Sequence, residues 1–486
     1  RLIPKVMKNI VNRYRFWILI FPVFAMLFSC TEKLEIKPKQ SIDADVALTT
    51  PDNIKAALVG AYLQVSSYGT FGSYFNEYSE LYAATGDMRF MGTYEEPREF
   101  FNKAATTTNG YVEFTWTEAY RLINTCNTLL QEEVIALLSD EDADLVKGEA
   151  LFLRGWTIFE MTRLFGLPYE PGQTNSQPGI PLVLTATRDV SDAVPVPRNT
   201  VEECYSRALE DLTEARGLLP DENGVYASSM TASAVLARLY LQTGNFRLAA
   251  TEANRVVESG YFDLTATPLK AFNNPENSVE DIFAIQMNIN STLGWLPVMY
   301  ASLAGAGRGD YEIVQSFLGR FDQSDLRGKY QADTQDGYTI DNITMMYYRG
   351  VGTILNNNGI NTAKWGDYYR NIPLIRLAEM CLIRAEANFE DPGADVGPNT
   401  PTQDINTIRE RALAPLYTTN VTREQIREER YLELCWEGHR LHDLKRWKMD
   451  IGTDPYNAGN LILPIPFREM EVNDLLEQNS WYSAGK

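Results

Sequence analysis

The chain has 486 residues, of which 44% are hydrophobic and 22% charged, and its formal net charge is −20. Such a length and composition are typical of a globular protein with a large core. The acidity argues against a nucleic-acid-binding protein, because binding there depends on neutralising phosphates. It also argues against adsorption to an anionic membrane surface, so attachment to a membrane would need a covalent anchor.

The N-terminal segment has the pattern of a bacterial lipoprotein signal. A basic stretch precedes an apolar run whose length suits a signal peptide and is too short to span a bilayer. The run ends in Leu27-Phe28-Ser29-Cys30, which resembles a lipobox. We predict that residues 1–29 are a signal peptide, that Cys30 carries lipid including palmitate, and that 30–50 form a tether. A secretory signal with a chance cysteine is the alternative.

The remaining cysteines and the histidines give little material for a metal site or for histidine-based catalysis. Only His439 and His442 are present, and no C-x-x-C or His-paired spacing occurs. We predict no metal and no cofactor. The other four cysteines fall in predicted helices and are expected to be buried free thiols, with a disulfide left open: Cys126, Cys204, Cys381 and Cys435.

Hydrophobic periodicity predicts helices through most of the chain. Apolar residues recur at three- and four-residue intervals in seven segments, 51–66, 111–138, 142–165, 200–219, 372–389, 403–413 and 422–449. Thr422 and Gln425 fit a capping box at the start of the last segment. The stretches 67–108 and 169–197 are rich in residues that favour turns and are predicted as loops.

The segment Leu236–Val257 matches the pattern of a tetratricopeptide repeat. Its small residues let two antiparallel helices approach closely, and Gly244 makes the turn between them. Two further helix pairs are each split by an insertion, and they combine 149–165 with the helix ending at Leu219, and 372–389 with 403–413. The sequence therefore predicts a mainly α fold built from helical repeats.

Between an N-terminal region, 51–264, and a C-terminal region, 372–486, the helical period fades. Residues 265–371 are dominated by Gly, Asn, Asp and Tyr. Irregular stretches of this length inside a compact protein are usually functional. We predict a large loop-rich subdomain that binds ligand.

Short stretches along the whole mature chain resemble the SusD/RagB family. In chain order these stretches are Glu149–Trp156, Arg163–Tyr169, Arg376–Glu379, Ala385–Ala387, Ile405–Ala412, Glu428–Leu434, Glu437–Arg440, Asp443–Trp447, Leu463–Pro466 and Gln478–Tyr482. The chain departs from the family at Ser480 and Trp481, where Pro-Gly is usual. We interpret the charged residues of the C-terminal motifs as a structural network on helix surfaces, formed by Arg430, Glu433, Glu437, Arg440, Asp443 and Arg446.

The resemblance implies four tetratricopeptide-like helix pairs that pack against a SusC-like TonB-dependent transporter. Variable loops on the other side would bind an oligosaccharide, and in some members a peptide. Members are lipid-anchored on the outer face of the outer membrane and are not known as catalysts. The resemblance therefore implies a nutrient-binding protein without catalytic residues.

Two regions combine aromatic rings, which stack on sugars, with planar polar groups, which pair with hydroxyls. They are 68–94 and 288–310, and the resemblance supports both as ligand-bearing loops. The predicted ligand-binding residues are Tyr74, Asp87, Arg89, Phe90, Trp295, Tyr300, Arg308 and Asp310.

Three alternatives stay open at this point. A glycoside hydrolase would need two facing carboxyl groups, and acid pairs are common in this chain. A peptide-binding member of the same family would use the same loops for another ligand. A repeat scaffold without a ligand is disfavoured by the long aromatic-rich insertion.

Overall fold

Helices account for most of the regular structure, as the hydrophobic periodicity predicts. The structure, a computed structural model, describes residues 48–189, 192–290, 294–352 and 358–483. The predicted signal peptide, Cys30 and most of the predicted tether lie outside the described residues. Among the described helices, none is both long and apolar enough to cross a membrane.

The elements of the unit Pro51–Lys486 follow one another in this order. The helices are α1 Pro51–Val65, α2 Tyr74–Ala83, α3 Glu95–Phe101, α4 Gly110–Leu129, α5 Glu132–Ile135, α6 Asp140–Phe165, α7 Val201–Leu218, α8 Ser229–Gln242, α9 Phe246–Val257, α10 Trp295–Tyr300, α11 Gln315–Leu318, α12 Leu377–Glu390, α13 Pro401–Arg411, α14 Arg423–Leu434, α15 Arg440–Arg446, α16 Phe467–Val472 and α17 Ser480–Ser483. The strands are β1 Met88–Phe90, β2 Asp281–Ile285, β3 Tyr311–Ile313, β4 Tyr330–Gln331, β5 Tyr347–Arg349, β6 Ile360–Thr362 and β7 Ile372–Arg376.

The long helices pack successively, α4 on α6, α6 on α7, α7 on α8, α8 on α9, α9 on α12 and α12 on α13. The three predicted pairs, α6/α7, α8/α9 and α12/α13, are therefore confirmed. Gly155 permits the close approach of α6 to α7, because a Cβ there would lie 2.8 Å from Cβ of Asp211. Gly244, at φ +73°, makes the turn between α8 and α9 as predicted.

Side-chain caps fix where several of these helices begin. Thr200, Ser228, Thr400 and Thr422 each form a capping box at the start of α7, α8, α13 and α14. The predicted box of Thr422 with Gln425 is thus confirmed. The four cysteines among the described residues are buried and free, as predicted, namely Cys126, Cys204, Cys381 and Cys435.

The prediction of one C-terminal helix over 422–449 is wrong. The chain leaves α14 after Leu434 and enters α15 at Arg440. Between them Trp436 and Gly438 have φ of +67° and +83°, a left-handed conformation that no helix continues. The break buries the Trp436 ring, whose Nε1 donates to the Tyr347 hydroxyl at 3.0 Å.

Three other boundaries also differ from the sequence prediction. The helix predicted over 111–138 is divided into α4, which ends at Leu129, and the short α5. The segment 67–108 contains α2, β1 and α3. All ten residues of α2 are buried, so the helix has no polar face to reveal its period. The segment predicted as a helix from Ile372 starts as strand β7, and α12 begins only at Leu377.

The predicted irregular region, 265–371, contains short strands in two sheets. One has five strands in the order β1-β3-β6-β5-β4, in which β4 and β5 are parallel and the other neighbours antiparallel. The other is the antiparallel pair β2 and β7. The strands have two to five residues, too few for an alternating pattern to be visible.

The charged residues of the C-terminal motifs form a structural network, which confirms the prediction, but its ion pairs are buried between the elements and are not exposed on helix surfaces. Arg376, which is buried, donates to Glu433 at 2.6 Å and to Glu437 at 2.7 Å. Asp443 accepts from Arg430 at 2.8 Å and from Arg446 at 2.9 Å. These pairs link β7, α14 and α15. The charges are paired because an unpaired charge at this depth would strongly destabilise the fold.

Candidate ligand-binding site

Two segments that are far apart in sequence meet at the edge of the five-stranded sheet. Strand β1 pairs antiparallel with β3. Beyond the strands, the amide of Met91 donates to the carbonyl of Asp310 at 2.7 Å. The two regions predicted to bind ligand, 68–94 and 288–310, therefore adjoin in the fold.

Four half-buried aromatic side chains form a continuous stack at this junction, here called the aromatic row. Its members, in spatial order, are Tyr94, Trp295, Tyr68 and Phe114. Successive ring centroids are 6.4, 5.4 and 4.8 Å apart, at interplanar angles of 25 to 29°. Such offset stacking leaves part of each ring uncovered, and all four side chains retain solvent exposure.

Arg308 extends the aromatic row at the Tyr94 end. Its guanidinium carbon lies 4.3 Å from the centroid of the Tyr94 ring. Nη2 donates to the hydroxyl of Thr93 at 2.9 Å, and Nε donates to Oδ1 of Asp310 at 3.1 Å. The planar group is thus held in place beside an aromatic surface.

Asp310 holds Arg308 from the interior. Its carboxyl is fully buried, and burial raises its pKa to about 6, although the charge of Arg308 opposes the rise. Gly92 packs directly against this carboxylate, because a Cβ there would lie 2.3 Å from Oδ2 of Asp310. Asp310 therefore positions Arg308 and has no solvent-exposed surface of its own.

A cluster of buried tyrosines supports the aromatic row from below. Tyr74 meets Tyr68 edge to face at 5.6 Å and stacks on Tyr111 at 3.9 Å with an interplanar angle of 9°. Glu77 lies among them and accepts hydrogen bonds from the hydroxyls of Ser73 and Tyr311. Burial raises the pKa of Glu77 to about 7, and these hydrogen bonds oppose the rise.

The eight predicted ligand-binding residues occupy different positions in this arrangement. Arg89, Trp295 and Arg308 present side-chain surface, and Arg89 lies 3.7 Å from Glu312 across the strands. Asp87 is half-buried, and its carboxylate accepts from the amides of Thr85 and Met88 and from the Tyr431 hydroxyl. The other four are buried, namely Tyr74, Phe90, Tyr300 and Asp310.

These positions correct the expectation that all eight side chains line the ligand surface. The four buried residues have almost no area to offer a ligand in this conformation. Two of them support the surface, because Tyr74 packs against Tyr68 and Asp310 holds Arg308. Asp87, immediately before β1, accepts a hydrogen bond from Tyr431 of α14 and so links the two elements. Ligand contact by Arg89, Trp295 and Arg308 stays a prediction.

Sequence reasoning did not single out Tyr68 or Phe114. Tyr68 stands at the limit of the first predicted region. Phe114 lies on the predicted helix 111–138, and its neighbour Trp116 marks the apolar face that packs inside. On a helix, an aromatic residue two positions away from a core residue points away from that core face. This offset is the sequence signal that identifies Phe114 as a residue outside the core.

If concavity were the only criterion for a ligand-binding site, a different part of the surface would be chosen. A cleft of about 630 Å³ lies between α4, residues 181–187 and 192–196, and α16. Its polar groups are largely engaged within the protein. Tyr120 donates to the carbonyl of Pro181 at 2.8 Å, and Asn473 donates to the carbonyl of Val196 at 2.9 Å. The aromatic row differs from this cleft in that it joins four partly exposed rings to a guanidinium.

Two family models match this chain. One, described as starch-binding associating with outer membrane, matches residues 33–241. The other, described as the SusD family, matches residues 320–461. Together they account for most of the chain and include two of the three predicted helix pairs, α6/α7 and α12/α13.

Curated relatives and solved structures agree with these matches. SusD-like protein P2 of Formosa agariphila is 26% identical over 507 aligned residues, covering 93% of this chain and 97% of that protein. The starch-binding protein SusD of Bacteroides thetaiotaomicron is 30% identical over 170 residues, covering 32% of this chain and 29% of that protein. A crystal structure of a SusD superfamily protein from Bacteroides thetaiotaomicron has a TM-score of 0.74 at 24% identity, and the match covers 88% of this chain and 99% of that one, a likeness of fold.

The mainly helical fold, with its successive helix pairs and the sheet-bearing insertion, is the fold of these structures. The order of the motifs, the two family models and the nearly full-length relative all lead to one assignment. The chain belongs to the SusD/RagB family.

Proposed function

We propose that this protein is a non-catalytic, surface-exposed outer-membrane lipoprotein that captures oligosaccharides and delivers them to a SusC-like TonB-dependent transporter. The aromatic row carries this proposal. Sugar rings present flat C–H faces that stack on aromatic rings, and hydroxyls that pair with planar groups such as a guanidinium. Trp295 and Arg308 supply both kinds of contact within one surface.

The comparisons support the ligand class and the location. One matching family model is described as starch-binding and as associating with the outer membrane, and one relative is named a starch-binding protein. Anchoring at Cys30 rests on the lipobox-like motif, and delivery to a transporter rests on the family resemblance. Both remain part of the proposal.

The acids of this region favour binding over hydrolysis. A glycoside hydrolase places two carboxyl groups on either side of the scissile bond. Here Asp310 and Glu77 are fully buried, and Glu312 is close to Arg89 across the strands. Carboxylates in these positions serve to hold the surface together.

Replacing Trp295 by Ala should weaken oligosaccharide binding about tenfold or more. One stacking ring contributes about 1–3 kcal/mol by analogy with bases on aromatic side chains, and about 1.4 kcal/mol corresponds to tenfold in affinity. Isothermal titration calorimetry with a panel of oligosaccharides, including starch fragments, measures the change.

Tyr261→Ala is the matched control, because this tyrosine is 43% exposed and lies outside the aromatic row. It should leave the affinity unchanged. Equal affinity of Trp295→Ala and the unsubstituted protein would remove the aromatic row as the binding site. Binding of short peptides in place of every oligosaccharide would assign the surface to peptides, and release of reducing ends would show an enzyme.

A further inference from the structure

A small pocket separate from the aromatic row is rich in charged side chains. It has a volume of about 200 Å³ and lies between the turn that joins α8 to α9 and the helices α12, α14 and α15. We call it the Arg427 pocket. The charged residues that line it are Glu386, Glu390, Arg423, Arg427, Arg446 and Lys448.

Three of the four cations in the Arg427 pocket already have acidic partners. Arg423 pairs with Glu390 and Arg446 pairs with Glu386. Lys448 pairs with Glu170 at 2.6 Å. Both acids of the lining are therefore neutralised. The pocket keeps one positive charge in excess, within a chain whose net charge is −20.

That excess charge belongs to Arg427. It forms no ion pair with any acid among the described residues, and its Nη1 lies 3.9 Å from Sδ of Met449. Its Nε is buried and has no hydrogen-bond partner in the part of the chain that the structure describes. The guanidinium lies 5.1 Å from the centroid of the Trp447 ring, which holds it in position. The side chain as a whole is half-buried and lines the pocket, so an acceptor bound there would satisfy it.

A helix N-terminus faces the same space. Helix α9 begins at Phe246, and its N-cap residue Asn245 makes no side-chain cap. Gly244 and Phe246 both line the Arg427 pocket. The uncapped amides of a first helical turn and the positive end of its dipole favour a negative charge. Two independent features thus favour an anion at this position.

We propose that the Arg427 pocket binds a carboxylate of an acidic segment on a partner protein. A guanidinium matches a planar carboxylate with two parallel hydrogen bonds. The pocket has room for one side-chain head group, and the Trp447 ring is buried beneath Arg427, so this ring offers no open platform to a sugar. A second copy of this chain carries the same strong negative charge and is disfavoured by repulsion.

Titration of the full mature chain with a capped hexaglutamate peptide at low salt tests this proposal. Fluorescence anisotropy should show saturable binding that weakens with added salt. Arg427→Gln should weaken it about tenfold, the effect of losing one charge-assisted hydrogen bond. Arg255→Gln, at the other end of α9, should bind as the unsubstituted protein does. Circular dichroism checks that Arg427→Gln, which also loses the contact with the Trp447 ring, remains folded at the temperature of the titration.

Several results would overturn the proposal. These are the absence of binding at millimolar peptide, equal binding to Arg427→Gln, and equal binding of a capped hexaglutamine peptide. Arg427-dependent binding of an oligogalacturonate without binding of the peptide would assign the pocket to acidic glycans and reject a protein partner. Oligosaccharide binding at the aromatic row, measured with the same variants, is expected to be unaffected, so the two proposals can fail separately.

Discussion

Glu77 is fully buried beneath the aromatic row and forms no ion pair among the described residues. Its pKa rises from 4.5 to about 7 on folding, mainly through burial. The folded state therefore holds the proton more tightly, so the stabilisation is complete below pH 4.5 and is lost as the pH rises through about 7. We expect Glu77→Gln to raise the free energy of unfolding at about pH 8 by about 1 kcal/mol or more, since one pKa unit corresponds to about 1.4 kcal/mol.

Urea denaturation at about pH 5 and about pH 8 measures this effect, because a difference confined to the higher pH identifies the titration of a buried acid. Glu222→Gln changes an exposed glutamate and should leave both values unchanged. A Glu77→Gln variant less stable than the unsubstituted protein at about pH 8 would contradict the expectation. It would show that the hydrogen bonds from Ser73 and Tyr311 require a carboxylate.

At the residue scale the sequence predicts the regions of the candidate site better than its individual members. Trp295 and Tyr300 are five positions apart, and the sequence predicts ligand contact for both on the same grounds. In the structure Trp295 opens α10 and stays half-buried, whereas Tyr300 is fully buried and donates to Asn76 at 3.2 Å. That partner is 224 residues away, and no local pattern indicates it.

The contact between α6 and α7 determines how closely the helix pairs stack. Gly155 lies where a Cβ would come within 2.8 Å of Cβ of Asp211 and 3.1 Å of the carbonyl oxygen of Ala208. Gly155→Ala should therefore separate the helices and lower the free energy of unfolding by about 1–3 kcal/mol, the usual cost of overpacking. The matched control is Gly60→Ala, within α1, where a Cβ would meet nothing within 4 Å.

The two glycine variants should change stability in opposite directions. Alanine at position 60 should raise the free energy of unfolding by about 0.5–1 kcal/mol, because alanine loses less backbone entropy in a helix. Chemical denaturation followed by circular dichroism measures both changes. Stabilisation by Gly155→Ala would mean that α6 and α7 can shift apart freely, against the tight packing seen here.

The sequence predicts the amphipathic helices well, because the regular spacing of their apolar residues is visible within each segment. It fails at α2, which is buried on every side, and at the break after α14. The carbonyl of Trp436 in that break accepts from Asn76 and from Trp365, both at 2.9 Å. Such a break depends on partners 360 and 71 positions away, so a periodic pattern through 422–449 cannot reveal it.

Among the described residues, two classes of buried carboxyl group stand out by the direction of their pKa shift. In the first, burial raises the pKa toward neutrality, to about 6 for Asp310 and to about 7 for Glu77, Glu80, Glu149 and Asp281. In the second, burial acts in the same direction but neighbouring arginines outweigh it and lower the pKa, as for Glu379, Glu386, Glu433 and Asp443. The first class stabilises the fold in its protonated form and the second in its ionised form.

The free energy of unfolding should therefore be highest at about pH 5. Below that pH the second class loses its ion pairs, because these acids become protonated. Between about pH 5 and pH 7 the five acids of the first class ionise in the folded state at the cost of stability. The buried His439 and His442 oppose this trend, because burial lowers their pKa well below the usual range, but two groups do not offset five. Urea midpoints measured across this range should fall from about pH 5 to pH 7, and Glu77→Gln should make that fall shallower while leaving the acid side unchanged. A midpoint that rises steadily toward pH 7 would show that the ion-pair network, with the two histidines, dominates the titration of the fold.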